Sequence, residues 1–279
     1  MDFNRPIRIQ TGTTTFLDLN SLAGTRVGSA PLSGFKVESA NYAAVPAQGF
    51  IDKAALRDGS TVTEAYLGAR GVEMVVSVYG ETIGDFWDNI DTLTAALQPM
   101  PLGFDATYGV RALRFFQPTW DLSADFPGGI ELDMLVRPAS LPVYNVNRRT
   151  SVGKASEGFA QPAQIRFIAP NPKKFLTTTK SGAGEHRGSA PVYPVLTKAS
   201  CAAGDTVTFS WTSGLLTSTV VAVAIDAGAI SIDTDTMSQT NCRISHVVTS
   251  GDFLVHPGTV VIEGSTTADA VVTYREAWL

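Results

Sequence analysis

Apolar and polar residues alternate most clearly at Val72-Glu73-Met74-Val75-Val76-Ser77-Val78-Tyr79, where positions 72, 74, 76 and 78 are all apolar. Successive side chains of a strand point to opposite faces, so this pattern predicts a strand with one face in a core. Shorter β-prone segments predict strands at residues 7–10, 15–19, 34–38 and 62–67. The period then changes. Phe86, Ile90, Leu93 and Leu97 recur at i, i+4, i+7 and i+11, the stripe of a helix, and Trp87 widens it. The spacing predicts a helix over residues 83–97. Thr82 is its N-cap with Asp85 as a weak capping box, and Asp85, Asp88 and Asp91 suit the positive N-terminal half. Pro99 and Pro101 end it. One helix among strands must lay its stripe on a sheet face, so the first domain is expected to be a split β-barrel closed by that helix.

Two further strands are predicted at residues 110–117 and 129–137, with Pro127-Gly128-Gly129 as the turn signal before the second. Residues 146–160 are polar and aperiodic, which predicts a linker between domains at 1–145 and 161–279. Beyond it, strands are expected near 163–168, 173–178, 189–198, 205–211, 219–225, 229–232, 252–255, 259–263 and 269–276, punctuated by glycines. Many short strands without a helix argue for a two-sheet β-sandwich of jelly-roll type. Its last segment turns at Pro257-Gly258 and ends on a strand carrying Trp278 and Leu279, a terminus expected to be docked.

Composition narrows the class. The 279 residues are 44% hydrophobic but only 17% charged, a surface that favours contact with other subunits over a solitary life. The net charge of −5 is uneven: residues 1–145 carry 10 Lys and Arg against 16 Asp and Glu, a net of −6, and residues 146–279 carry 11 against 10, a net of +1. That speaks against a nucleic-acid grip in the first half. Two cysteines, Cys201 and Cys242, allow one disulfide but make no disulfide framework, and free buried thiols are expected. The longest apolar run, residues 220–225, is far too short for a bilayer, and the N-terminus lacks a signal-peptide pattern, so synthesis and use without secretory export are expected.

Chemistry-bearing motifs are sparse. No Gly-x-Ser-x-Gly elbow or phosphate-binding loop occurs. His186, His246 and His256 are scattered; Cys242 and His246 have the i, i+4 spacing of a zinc pair on a helix, but their segment reads as loop and strand. Asp226, Asp233 and Asp235 offer carboxylates to calcium, with alternating acids on a solvated strand as the commoner explanation. Glu185-His186-Arg187 reads as a polar loop tip, and Trp211, Tyr193 and Trp278 are the aromatics a sugar would stack on. No catalytic, cofactor-binding or metal residue is singled out.

Three segments together resemble the distal tail proteins of long-tailed, siphophage-type bacteriophages. They are the strand-to-helix unit of residues 72–97 with Gly84-Asp85-Phe86-Trp87-Asp88-Asn89-Ile90-Asp91, the run Ala169-Pro170-Asn171-Pro172-Lys173-Lys174-Phe175, and the ending from Leu254-x-x-Pro257-Gly258 to Tyr274-Arg275-x-x-Trp278. The resemblance implies a split-barrel domain with one helix, assembling as a hexameric ring around the tail channel, and a galectin-like β-sandwich projecting outward. It implies a structural virion protein at the distal end of the tail, joining the tail tube protein to hub and fibre proteins of the baseplate. DNA would pass the lumen without specific binding, helped by an acidic wall. A tail tube or tube-terminating subunit shares the helix-closed barrel, and a glycan-binding sandwich is the alternative of another class.

Overall fold

The structure, a computed structural model, describes residues 1–25, 32–45, 47–53, 60–99, 109–118, 128–144, 159–249, 254–262 and 270–279. Its contacts divide the chain into two compact units, Met1–Pro172 and Lys173–Leu279.

The first unit comprises β1 (Ile7–Gln10), β2 (Phe16–Asp18), β3 (Gly34–Tyr42), β4 (Ala47–Lys53), β5 (Ser60–Leu67), β6 (Arg70–Gly80), α1 (Ile83–Ala96), β7 (Arg111–Gln117), β8 (Ile130–Pro138), β9 (Val143–Tyr144) and β10 (Phe159–Ala169). Seven of these strands follow the antiparallel path β2-β1-β7-β8-β10-β6-β3, with β9 beside β10 and β4-β5 as a separate hairpin. The expectation of a barrel closed by the helix is not met among the described residues, because the path runs open from β2 to β3. The alternation seen in the sequence is real: Val72, Met74, Val76 and Val78 of β6 are all buried, beside Ile165 and Phe167 of β10.

Strand β10 changes the organisation expected from sequence. It pairs with β6 along its whole length, from Phe159 opposite Gly80 to Ala169 opposite Arg70, so it completes the first unit rather than opening the second. Pro162 and Gln164 lie on its exposed side while Ala163, Ile165 and Phe167 face inward, the pattern of a half-buried strand. Of the expected linker, residues 146–158 lie outside the described residues and Phe159 and Ala160 belong to this strand. Recounted by unit, the charge is 14 against 17, a net of −3, for residues 1–172 and 7 against 9, a net of −2, for residues 173–279. The strong asymmetry about residue 145 does not survive.

Helix α1 begins at the predicted cap. Thr82 Oγ1 accepts from the Asp85 N–H at 3.1 Å and Asp85 Oδ2 accepts from the Thr82 N–H at 3.1 Å, a full reciprocal capping box. Ile90, Leu93, Ala96 and Leu97 are buried, whereas Phe86 is half-buried and Trp87 is 52% exposed, so the stripe is narrower at its start than the spacing suggests. Asn89 ties the helix to the sheet by donating from Nδ2 to the Tyr79 carbonyl at 2.7 Å.

The second unit holds β11 (Lys174–Leu176), β12 (Lys180–Ser181), β13 (Gly184–His186), β14 (Val195–Cys201), β15 (Thr206–Ser213), β16 (Leu216–Ala224), β17 (Gly228–Asp233), β18 (Ser238–Thr240), β19 (Cys242–Thr249), β20 (Gly258–Ile262), β21 (Ala270–Tyr274) and β22 (Ala277–Trp278). Two five-stranded sheets, β12-β21-β14-β17-β18 and β13-β20-β15-β16-β19, enclose one core. Leu196, Ile230, Ile232 and Val272 from one sheet meet Phe209, Trp211, Val220 and Val260 from the other. That is a β-sandwich, as the punctuated strands predicted. The strand expected over 189–198 begins only at Val195, since Pro191 and Pro194 offer no N–H to a ladder. Of the strand expected at 252–255, Asp252 and Phe253 lie outside the described residues and Val255 forms an isolated bridge with Val192. Gly258, after Pro257, sits at φ +113°, the turn chemistry the dipeptide announced.

Candidate functional site

The densest buried polar cluster lies in the second unit and grows out of the chain's last strands. The strand expected over 269–276 breaks after Tyr274. Arg275 donates from Nε to the Leu176 carbonyl at 2.6 Å and stacks its guanidinium 5.6 Å over the Phe175 ring. Glu276 turns inward and is fully buried, and β22 then pairs with β11, setting Trp278 opposite Lys174. The two sequence segments that stood out, Lys173-Lys174-Phe175 and Tyr274-Arg275-x-x-Trp278, are therefore one structure.

Around Glu276 the chain closes completely. Its Oε1 accepts from the Arg187 backbone N–H at 2.5 Å and from Lys180 Nζ at 2.9 Å, while Arg187 Nη2 lies 3.5 Å from Oε2. Lys180 also donates to the Glu185 carbonyl at 2.7 Å, so β12 and β13 are held by one ammonium. Burial by itself would raise the Glu276 pKa, but the Arg187 N–H and the Lys180 ammonium outweigh it and hold the carboxyl below its ordinary value. Beside it His186 is 1% exposed and stacks on Tyr274 with ring centroids 5.7 Å apart. Its Nδ1 accepts the Gly188 N–H at 3.0 Å, which leaves the ring proton on Nε2. Burial pushes His186 below its ordinary pKa, with Glu276 offsetting part of the effect. Gly188 has no room for a side chain: a Cβ there would run into the Ala277 carbonyl and the His186 ring.

A buried, ion-paired carboxylate with no exposed surface has no approach for a substrate and acts as a pin between strands. Glu185-His186-Arg187 is accordingly no solvated loop tip, since β13 pairs with β20. The first unit has its own pin. Arg111, 1% exposed, donates to the carbonyls of Ala96 at 2.6 Å and Gln98 at 2.8 Å, closing the C-terminal end of α1, whose last turn has no basic residue. Sequence reasoning missed both pins because each partner is remote in the chain.

The other sequence candidates are dispersed. Cys242 and His246 both lie on strand β19, where four residues of rise separate them by about 13 Å, unlike a helical pair. Asp233 and Asp235 share a turn, the Asp235 N–H donating to Asp233 Oδ1 at 2.9 Å, while Asp226 lies before β17 and bonds Asn241. Among the described residues no three His, Cys, Asp or Glu side chains gather as for a metal. Cys201 and Cys242 are free and buried, and burial raises the Cys242 thiol. Trp211 is wholly buried with Nε1 donating to the Leu254 carbonyl at 3.2 Å, which removes it as a sugar platform; Tyr193 is 42% exposed and Trp278 half-buried. No described helix is long and apolar enough to cross a membrane.

The geometry defines a class: a two-unit β-protein whose buried charges serve the fold. Its structure is similar to that of the SPP1 Dit (gp 19.1) protein, described as a paradigm of the hub adsorption apparatus in phages infecting Gram-positive hosts, with a TM-score of 0.53 and 14% identity over 88% of this chain and 94% of that one. The phage p2 baseplate in its activated conformation with Sr matches over 96% of this chain and 97% of its own at 8% identity and a TM-score of 0.48. No protein-family profile matches the chain, and no curated protein gives a significant match. The fold is thus shared with a phage tail-hub protein, in agreement with the family that the sequence segments resemble.

Proposed function

We propose that the chain is a distal tail protein: a structural, non-enzymatic hub at the tail tip of a long-tailed phage. One observation carries the reading. A helix-bearing β-unit followed by a β-sandwich, in that order, matches the SPP1 Dit fold over nearly the full length of both chains. In this reading the first unit is the ring-forming half, copies of which assemble into a hexameric ring around the tail channel. The second is the galectin-like half that faces outward toward other baseplate parts. Its partners are the tail tube protein and the hub and fibre proteins, and its place is the virion, after assembly in the host cytoplasm. DNA would pass the ring's lumen without specific binding. With the two units at nearly equal net charge, that property rests on exposed acids such as Asp88 and Asp91 rather than on a charge difference between the units.

A tail tube subunit has little use for the second sandwich, and a glycan-binding sandwich loses its strongest aromatic with Trp211 buried. Light scattering coupled to sizing, followed by negative-stain imaging, tests the proposal. A hexameric ring of the 29.6-kDa chain with an open centre is expected. A stable monomer that binds sugars on a glycan array would overturn it.

A further inference from the structure

The first unit shows what this fold does with one buried and one half-buried guanidinium. Arg111 spends its donors on the carbonyls at the end of α1, and Arg114 forks onto Asp133, with Nε to Oδ1 at 2.8 Å and Nη2 to Oδ2 at 3.3 Å. Arg70 breaks the pattern. It is only 9% exposed, it makes no hydrogen bond or ion pair with any described residue, and its Nε is shut off from solvent without an acceptor. An unpaired buried guanidinium is strongly disfavoured, so the position calls for an anion.

A second donor points the same way. In the β3–β6 register Tyr42 stands opposite Val72, so Tyr42 and Arg70 are diagonal neighbours on the inner face of the sheet. The Tyr42 hydroxyl is also buried and without a partner among the described residues, its ring 6.0 Å from that of Phe115. Arg70 is the first residue of β6 and Tyr42 the last of β3, so the pair lies at one rim of the sheet. Around it are Ala169, opposite Arg70, and Phe167, opposite Val72.

We propose that Arg70 and Tyr42 form a binding site for a single carboxylate at this rim. A planar guanidinium with an adjacent phenol presents converging N–H and O–H donors, which matches the two oxygens of a carboxylate. One cation among apolar walls, in a unit of net negative charge, balances a monoanion and leaves a phosphate dianion under-compensated.

The test follows the Arg70 Nε–H resonance of the full chain by NMR, assigned through its loss in Arg70→Lys, during titration with sodium acetate at constant ionic strength. A saturable shift confined to Arg70 is expected, weakened about tenfold by Tyr42→Phe, which keeps the ring and removes only the hydroxyl. A shift that appears on concentrating the protein without acetate assigns the carboxylate to a second copy of the chain; its absence, with acetate still saturating, assigns it to a separate molecule. The proposal is overturned if acetate leaves Arg70 unmoved, if sodium chloride moves it equally, if Tyr42→Phe binds as tightly, or if inorganic phosphate binds more tightly than acetate.

Discussion

The two units bury the same kind of problem and solve it with opposite chemistry. In the first, the open end of α1 is closed by a cation on neutral carbonyls, Arg111 on Ala96 and Gln98. In the second, the returning strand is pinned by an anion, Glu276, between Lys180 and the Arg187 backbone. A guanidinium never deprotonates in the working range, so the first pin is indifferent to pH, whereas a carboxylate beside a buried imidazole is not. All three histidines fall in the second unit. Net charge, nearly equal between the units, conceals this difference entirely.

Deleting residues 274–279 attacks the contrast hardest. The second unit should lose cooperative unfolding while amides of β6 and β10 keep their hydrogen-exchange protection; a truncated chain with a cooperative second unit would refute the pin. Next comes Arg111→Ala, which empties a fully buried site and orphans the helix-end carbonyls, at a cost of about 3–5 kcal/mol. Its exchange signature should appear in α1 and β6 and leave β14 and β21 unchanged.

Glu276→Gln keeps the shape and removes the charge. Because Lys180 and Arg187 retain about a quarter of their side-chain exposure and can hydrate, we expect roughly 2–3 kcal/mol, read by urea unfolding of the transition that buried Trp211 reports. Acid sharpens the comparison without mutation. Both His186 and Glu276 have folded pKa values depressed below the ordinary 6.5 and 4.5, so the stability they contribute is complete above those values and is lost as pH falls through the folded ones. The second unit should therefore weaken first below about pH 6.5, and His186→Phe should flatten the early part of that decline in a pH series of thermal melts. Smallest is Thr82→Ala, which removes the cap of α1 for about 1 kcal/mol, visible as faster exchange in its first turn.

How far the sequence could be read depended on the range of the interaction. Period-two alternation in β6 and the Thr82–Asp85 capping box are local, and both stand in the structure as read. Spacing alone puts Trp87 in the stripe, yet its ring is half in solvent. The polar run after residue 145 puts β10 beyond the expected linker, whereas its antiparallel pairing with β6 spans some ninety residues and leaves no local mark. The pins were the least legible of all. Glu276 reads as one more polar residue in an alternating strand until Arg187, 89 positions away, is seen donating to it.

The placement of β21 between β12 and β14 bears on the order of events during translation. Every partner of β6 in the first unit has been synthesised once residue 169 has emerged, so that unit can fold while the ribosome is still at work. The second cannot, because the strand that joins β12 to the rest of its sheet comes from residues 270–274, and Glu276 follows it. While residues 173–279 are being made, the nascent chain carries one finished unit and one unfinished one. Any chaperone contact with this protein should therefore map to residues 173–279.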